Sequence, residues 1–188
     1  MKDISIVITG AAGQGVKTVE ELLVGILKMS GYNIFATKEY ESRVRGGTNS
    51  TELRISSERV AAFVKKIDLL IPLSQDAYKH VQWRVSDETK ILVDPSIEIE
   101  ELVKNTENLI NIPFLDIAKK IGKKLFFNVV TVGAIAGIFN ADTDVGEEYL
   151  EERFSVKGDK IVEKNLEAFK KGYNLGQQHK SKIGFEET

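Results

Sequence analysis

The sequence predicts an α/β protein: a three-layer α/β/α sandwich around a mixed, mostly parallel sheet, with a Rossmann-like start. An apolar run at residues 4–9 breaks into a glycine-rich turn and continues as an amphipathic helix. Strand-like and helical segments then alternate as far as residue 121, which is typical of βαβ units. Two successive strand-like segments, residues 32–40 and 50–56, are close enough in sequence to form an antiparallel hairpin, so the sheet is expected to be mixed.

The opening strand, turn and helix form the first candidate site. The apolar alternation ends at Thr9, and three glycines follow at positions 10, 13 and 15. We expect them to supply positive φ angles and close backbone approach, so that N–H groups at the helix N-terminus face an anion. The helix is predicted from Val16 to about residue 29 by its period. The candidate ligand-binding residues here are Gly10, Gly13, Gln14, Gly15 and Lys17.

Known phosphate-binding loops match this turn only in part. A P-loop places lysine directly after its last glycine, whereas Val16 intervenes here, although residues 91–94 resemble a magnesium-holding strand. The glycine spacing is one residue short of the pattern found in short-chain reductases. Such folds also have an acidic residue at the end of the next strand, and here that residue would be Glu39 or Glu41. No Tyr-x-x-x-Lys pair follows to donate a proton. A turn that only packs the helix on the strand is the remaining alternative.

The later elements follow from the same patterns. Strands are predicted at residues 68–74, 90–94 and 108–113, and helices at residues 75–85 and 114–121. From Asn128 onward the chain is predicted to be helical, and residues 128–140 form an almost wholly apolar helix with small residues that suits close packing. One domain is expected over residues 1–176, followed by a polar C-terminal tail at residues 177–188.

Composition excludes several classes of function. The 188 residues, 42% of them hydrophobic, suffice for one sizeable core. A net charge of −2 without a basic stripe gives no reason to expect nucleic acid or an anionic membrane as a partner. The longest apolar run, residues 126–139, is too short to span a bilayer. The chain leads directly into a core strand, so we expect no secretory signal and a cytoplasmic location.

Side-chain chemistry narrows the choice further. With no cysteine and two histidines, the chain alone is not expected to build a disulfide, an iron–sulfur site or a zinc site, nor to use a catalytic cysteine. His80 is expected in a packing or surface role, His179 in solvent, and Trp83 in the core or an interface. The sequence therefore predicts no catalytic and no metal-binding residue.

The link between the two hairpin strands is the second candidate site. Residues 41–50 contain two arginines beside a glycine pair, with several small polar side chains. This composition can hold a phosphate, a carboxylate or the acidic surface of a partner, although an ordinary exposed loop also carries arginine. The candidate residues are Arg43, Arg45, Gly46 and Gly47.

Five segments in order resemble the gamma subunit, or gamma domain, of 2-oxoacid:ferredoxin oxidoreductases. They are GAAGQGV at residues 10–16, EYESRVRGG at residues 39–47, Asp68 before Leu-Leu-Ile, NVVTVGA at residues 128–134, and the ending at residues 153–173. The resemblance implies a complex that oxidatively decarboxylates a 2-oxoacid with thiamine diphosphate. Electrons pass through iron–sulfur clusters to ferredoxin, and the acyl group passes to coenzyme A.

The resemblance also implies which parts lie elsewhere. The thiamine diphosphate site of such enzymes has a Gly-Asp-Gly run followed by magnesium-holding asparagines, whereas Gly158-Asp159 is followed by lysine. Thiamine diphosphate, magnesium and the clusters are therefore expected on partner alpha and beta subunits, and on a delta subunit where one is present, with ferredoxin binding through the complex. For this chain we expect an assembly role and a shared coenzyme A site formed by the two candidate segments. The alternatives are a stand-alone nucleotide- or coenzyme A-binding module and a purely architectural subunit.

Overall fold

The fold was analysed in a computed structural model that describes residues 3–40, 47–60, 62 and 64–185. The strands are β1 (Ile4–Ala11), β2 (Asn33–Tyr40), β3 (Thr48–Ser56), β4 (Leu69–Pro72), β5 (Lys90–Val93) and β6 (Leu109–Asn111). The helices are α1 (Val16–Met29), α2 (Gln75–Val81), α3 (Phe114–Ile121), α4 (Phe127–Ile138), α5 (Thr143–Phe154) and α6 (Asp159–Ile183). The chain divides into two compact units, one built mainly from residues 1–20 and 33–112 and the other from residues 21–32 and 113–185.

The first unit contains a six-stranded sheet in the order β2-β3-β1-β4-β5-β6. The β2–β3 and β3–β1 pairs are antiparallel, and the other three pairs are parallel. The predicted hairpin is present, and the predicted α/β fold class with a mixed, mostly parallel sheet is confirmed. Its strand β3 begins at Thr48, two residues before the predicted start.

Strand β1 lies inside this sheet and is apolar on both faces. Ile6, Val7 and Ile8 are fully buried, as expected for a central strand covered on two sides. On one face, Val7 belongs to a buried cluster with α2 residues Tyr78 and Val81. Gly10 lies an odd number of residues from Val7 and therefore belongs to the other face, where it meets Val16 at the start of α1.

The second unit centres on α4, which is buried from Val129 to Ile138. The predicted small-residue helix is thus a core helix. A Cβ on Gly133 would lie 2.2 Å from the Phe169 carbonyl oxygen, and one on Gly137 the same distance from that of Tyr173. Gly172 and Gly176 of α6 meet the backbone of α4 equally closely. The two helices therefore pack backbone against backbone.

The last helix, α6, ends at Ile183. Residues 177–183, which we expected in a polar tail, continue α6 to Ile183, whose side chain is buried. Gln177 donates to the Gly137 carbonyl at 2.6 Å and to Asn140 Oδ1 at 2.5 Å. Gln and Lys are good helix formers, and Gly184 at φ +71° ends the helix in the left-handed conformation. The single domain over residues 1–176 stays a prediction.

Candidate functional site: the carboxyl edge of the sheet

The glycine turn closes on itself after β1. The Gln14 N–H donates to the Ala11 carbonyl at 3.0 Å, and the Ala11 N–H donates to Gln14 Oε1 at 2.7 Å. The Gln14 side chain therefore fixes the shape of the turn through its oxygen. It supports the candidate site by positioning the backbone.

The three glycines of the turn serve two purposes. Gly13 has φ +90° and Gly15 has φ +89°, a conformation that favours glycine, as the sequence predicted for both. Gly10 differs, since its φ is not positive and its role is close approach. A Cβ there would lie 2.9 Å from Val16 Cγ2 and 3.2 Å from Leu73 Cβ. The expected positive φ at Gly10 is wrong, because the start of α1 packs directly on that point of β1.

The turn presents the N-terminus of a long helix. The Val19 N–H donates to the Gly15 carbonyl at 3.0 Å, so Gly15 is the N-cap residue. The first amides of a helix precede its i→i−4 hydrogen bonds and carry partial positive charge. The first turn of α1 contains no acidic residue, and Lys17 is exposed there. This helix end is therefore suited to an anion.

The second candidate segment leaves the sheet at the same edge. Thr48 pairs with Ala11, and Tyr40 pairs with Asn49, so β2 ends and β3 begins at the edge of the sheet where β1 enters the glycine turn. Gly47 is buried at the start of β3. Arg43, Arg45 and Gly46 lie outside the described residues. The register therefore brings the beginning of β3 to the end of β1, which is distant from it in sequence.

This edge is also where the sheet topology favours ligands. Strands β1 and β4 are parallel neighbours, and the Leu73 N–H after β4 donates to the Thr9 carbonyl at 2.8 Å. After β1 the chain enters α1 on the Gly10 face, and after β4 it enters α2 on the Val7 face. Ligands in open α/β sheets bind in the crevice at the carboxyl ends of strands where the chain diverges in this way.

Two polar groups near this edge were not found by sequence reasoning. Thr9 is fully buried at the end of β1, and among the described residues its Oγ1 has no hydrogen-bond partner. Glu20 of α1 is also buried and accepts from Lys38 Nζ at 2.8 Å and from Thr51 Oγ1 at 3.3 Å. A polar residue within an otherwise apolar strand or helix face was the signal available for both.

Other expectations have mixed outcomes. Trp83 is 80% exposed, which excludes the predicted core role within this chain and leaves the interface alternative. The imidazole Nδ1 of His179 lies 2.9 Å from the Leu175 carbonyl oxygen, so this ring is held by α6.

Across residues 3–40, 47–60, 62 and 64–185, no cluster of three or more His, Cys, Asp or Glu side chains is placed to hold a metal. In the same ranges, no helix is long and apolar enough to cross a membrane.

The fold defines an α/β protein whose first strand ends in a glycine turn at the N-terminus of a long helix. The chain belongs to the pyruvate ferredoxin/flavodoxin oxidoreductase family, whose model matches residues 5–175. It is 24% identical to the 2-oxoglutarate synthase subunit KorC of Archaeoglobus fulgidus, over 94% of this chain and 90% of that protein. It is 28% identical to the indolepyruvate oxidoreductase subunit IorB of the same organism, over 91% of this chain and 94% of the relative.

Solved structures give the same result. A 2-oxoglutarate:ferredoxin oxidoreductase from Magnetococcus marinus, with 2-oxoglutarate, coenzyme A and succinyl-CoA bound, superposes with a TM-score of 0.83 at 25% identity. The match covers 95% of this chain and 32% of that one. The gamma subunit of a keto/oxoacid ferredoxin oxidoreductase from Geobacter sulfurreducens shares the fold with a TM-score of 0.77 at 22% identity, over 95% and 98% of the two chains.

These comparisons confirm the resemblance predicted from the five segments. Relatives that span nearly the whole chain are subunits of 2-oxoacid oxidoreductases. The alternative of a stand-alone nucleotide- or coenzyme A-binding module is therefore not favoured.

Proposed function

We propose that this chain is the gamma component of a 2-oxoacid:ferredoxin oxidoreductase. We further propose that the edge of the sheet at which β1 and β4 end contacts coenzyme A within the assembled complex. The observation that supports the proposal is the pairing of Thr48 with Ala11, by which the strand that follows the arginine-bearing segment begins opposite the residue that opens the glycine turn. Helix amides and guanidinium groups are two of the groups that proteins use to bind phosphate.

The chemistry of coenzyme A fits this edge. Its diphosphate and ribose phosphate are anions, which the amides at the start of α1, Lys17, Arg43 and Arg45 would bind. The bound coenzyme A of the Magnetococcus marinus enzyme supports this choice of ligand, since 95% of the present chain matches a part of that protein.

The redox steps are assigned to partner chains. Thiamine diphosphate, magnesium and the iron–sulfur clusters would be held by alpha and beta subunits, and ferredoxin would bind through the complex. The proposed substrate class is the 2-oxoacids, since the relatives carry names that include 2-oxoglutarate, indolepyruvate and ketoisovalerate. The role left to this chain is to complete the complex and to bind the acyl acceptor.

Purification through a tag on this chain from its native cells tests the proposal. We expect partner subunits to co-purify in constant proportion, and the complex to reduce a viologen dye only when a 2-oxoacid and coenzyme A are both supplied. A panel of pyruvate, 2-oxoglutarate, a branched-chain 2-oxoacid and indolepyruvate would identify the substrate. A tagged chain that purifies alone, or a complex whose dye reduction ignores coenzyme A, would contradict the proposal.

A further inference from the structure

A dense group of lysines lies at the end of α3 and the beginning of α6. We define the basic patch as Lys119, Lys120, Lys123, Lys124, Lys160 and Lys164. The first five side chains are exposed, and Lys164 is partly buried. The patch belongs to the second unit and uses none of the residues proposed to contact coenzyme A.

The lysines from the two helices meet at Gly122, which ends α3 with φ +152°. Lys164 Nζ lies 2.6 Å from the position that a Cβ on Gly122 would occupy, so the Lys164 side chain lies over this turn. Lys160 is four residues earlier in α6 and occupies the same helix face as Lys164. Lys123 and Lys124 directly follow the glycine. The positive charges are therefore neighbours in space as well as in sequence.

Within the described part of the chain, the six lysines outnumber the exposed acids near them in sequence, which are Asp116 of α3 and Asp159 and Glu163 of α6. None of its six lysines forms an ion pair with an acidic side chain there. Further acids of this unit lie in α5 and its N-cap residue Asp142. Glu147 of α5 pairs with Lys170 at 2.9 Å, and Lys170 lies about 120° around α6 from Lys164. The acidic α5 thus contacts a different flank of α6 from the one that holds Lys164.

Two exposed aliphatic side chains accompany the patch. Leu125 is 74% exposed in the 3₁₀ turn that begins at Lys124, and Val156 is 91% exposed in the 3₁₀ turn that leads into α6. Both turns pack against α6. Protein interfaces have an apolar centre from which water is excluded and a polar rim that stays accessible to solvent. Exposed aliphatic side chains within a charged surface therefore indicate an interface.

We propose that the basic patch, together with Leu125 and Val156, docks against an acidic surface of a partner subunit in the oxidoreductase complex. This inference rests on the proposed function, because it requires that a complex exists. A protein partner is favoured over an anionic membrane or a nucleic acid since the patch contains no arginine fork for phosphate and no aromatic ring to stack on a base. Unlike-charge surfaces steer association, and aliphatic contacts then slow dissociation.

Binding of this chain to purified alpha and beta subunits tests the inference. The variant is Lys123→Glu with Lys124→Glu, and the matched control is Lys104→Glu with Lys182→Glu, which makes the same change of charge at exposed lysines outside the patch. We expect the patch variant to associate about tenfold or more slowly at low ionic strength, and the difference to shrink at about 0.5 M salt, where the charges are screened. We expect the control to match the wild type.

A second variant addresses the apolar contact. Leu125→Ser with Val156→Ser should leave thermal unfolding unchanged, since both side chains are exposed, and should raise the dissociation rate several-fold. Wild-type binding in both patch variants would overturn the inference while leaving the proposed function intact. A wild-type chain that binds no partner subunit would contradict the proposed function itself.

Binding of an anionic membrane, or of a second copy of this chain, at the basic patch would also overturn the inference. If charge reversal abolished sedimentation with phosphatidylserine vesicles but left subunit binding unchanged, the patch would serve a membrane. If light scattering showed that the wild-type chain alone forms oligomers that the patch variant does not, the occupant would be the acidic α5 of a second copy.

Discussion

Gly10 and Gly13 belong to the same turn and meet different physical demands. At Gly13 a Cβ would enter open space, so only the positive φ favours glycine. At Gly10 the φ is ordinary, and the space for a side chain is already filled by Val16, Gln14 and Leu73. Glycine at one position therefore relieves backbone strain, and at the other it allows a helix to approach a strand.

Substitution by alanine and by asparagine separates these two demands. Gly13→Ala should lower the free energy of unfolding by about 1–2 kcal/mol, and Gly13→Asn by less, because asparagine tolerates positive φ. Gly10→Ala should cost about 1–3 kcal/mol through overpacking, and the larger Gly10→Asn should cost more. Urea unfolding of the four variants provides the measurement. A smaller loss of unfolding free energy for Gly10→Asn than for Gly10→Ala, or a larger loss for Gly13→Asn than for Gly13→Ala, would contradict the roles assigned to the two glycines.

Tyr78 predicts a pH dependence of stability. Burial raises the pKa of its hydroxyl above the ordinary value, because the phenolate loses hydration in the α2 cluster. A raised pKa in the folded state means that the neutral form stabilises the fold. This contribution is complete below the unfolded pKa of about 10 and is lost as the pH rises through the folded value.

The stability of the wild type should therefore fall more steeply than that of Tyr78→Phe above about pH 10. Urea midpoints of the two proteins across the alkaline range give the comparison, and the lysines that titrate there are common to both. Parallel curves would show that Tyr78 ionises as freely in the folded chain as in the unfolded one.

Single residues also show where sequence reasoning stops. Positive φ could be predicted at Gly13 and Gly15 from the turn pattern, because glycine identity reports backbone conformation. The role of Gln14 could not be predicted, because its side-chain oxygen accepts a hydrogen bond from the Ala11 N–H in a turn geometry that residue spacing does not determine. Thr9 and Glu20 were missed because burial of a polar side chain depends on what covers it in three dimensions.

At the scale of elements, the pairing of α4 with α6 is the tightest helix contact described. Glycines on both helices bring the backbones together, and the carbonyl oxygens of Phe169 and Tyr173 lie where a Cβ on α4 would be. A backbone carbonyl inside a helix cannot move aside as a side chain does. The sequence predicted that α4 would be buried, from its apolar circumference and small residues, but which glycine meets which carbonyl depends on the crossing of the two helices.

Gly137→Ala should therefore be strongly destabilising, by about 3 kcal/mol or more, because two helices must separate. Gly25→Ala in α1 is the matched comparison, since its added Cβ would meet only the ring end of the half-buried Tyr149 side chain. That ring can swing outward, and alanine favours the helix by about 1 kcal/mol over glycine, so the net loss should be small. Thermal unfolding compares the two variants. Equal losses would show that α4 and α6 can adjust their spacing.

The length of α6 is a second case at this scale. Its polar last turns were expected to form a tail, because nothing in residues 177–182 is strongly apolar. The helix persists because Gln177 bonds back to α4 and Ile183 is buried at its end. Long-range partners of polar side chains cannot be obtained from local periodicity.

At the scale of the whole molecule, the sheet brings together strands that are distant in sequence. The sequence predicted the class of the sheet, a mixed sheet with one hairpin, because alternation and spacing are local signals. That the hairpin pairs with β1 so that Thr48 lies opposite Ala11 was not anticipated, and this pairing brings the end of β1 and the start of β3 to one edge of the sheet. The five ordered segments still identified the family, since they report its sequence rather than its geometry.

The isolated chain should carry no redox chemistry of its own. It has no cysteine for a cluster, and Gly158-Asp159 lacks the pattern expected of a thiamine diphosphate site. We expect metal analysis of the purified chain to find no stoichiometric iron, and viologen reduction with any 2-oxoacid and coenzyme A to stay at background. Iron bound one to one, or dye reduction by the chain alone, would show that the division of labour among subunits is wrong.

The steady-state KM for coenzyme A in the assembled complex tests the central claim most directly. Arg43→Ala and Arg45→Ala should each raise it about ten- to a hundredfold, the effect of losing one charge-assisted phosphate contact worth about 1.5–3 kcal/mol, while the KM for the 2-oxoacid stays unchanged. Arg59→Ala is the matched control, because Arg59 is exposed and follows the other end of β3. An unchanged KM for coenzyme A in both variants, in complexes that assemble normally, would contradict the assignment of this edge to coenzyme A.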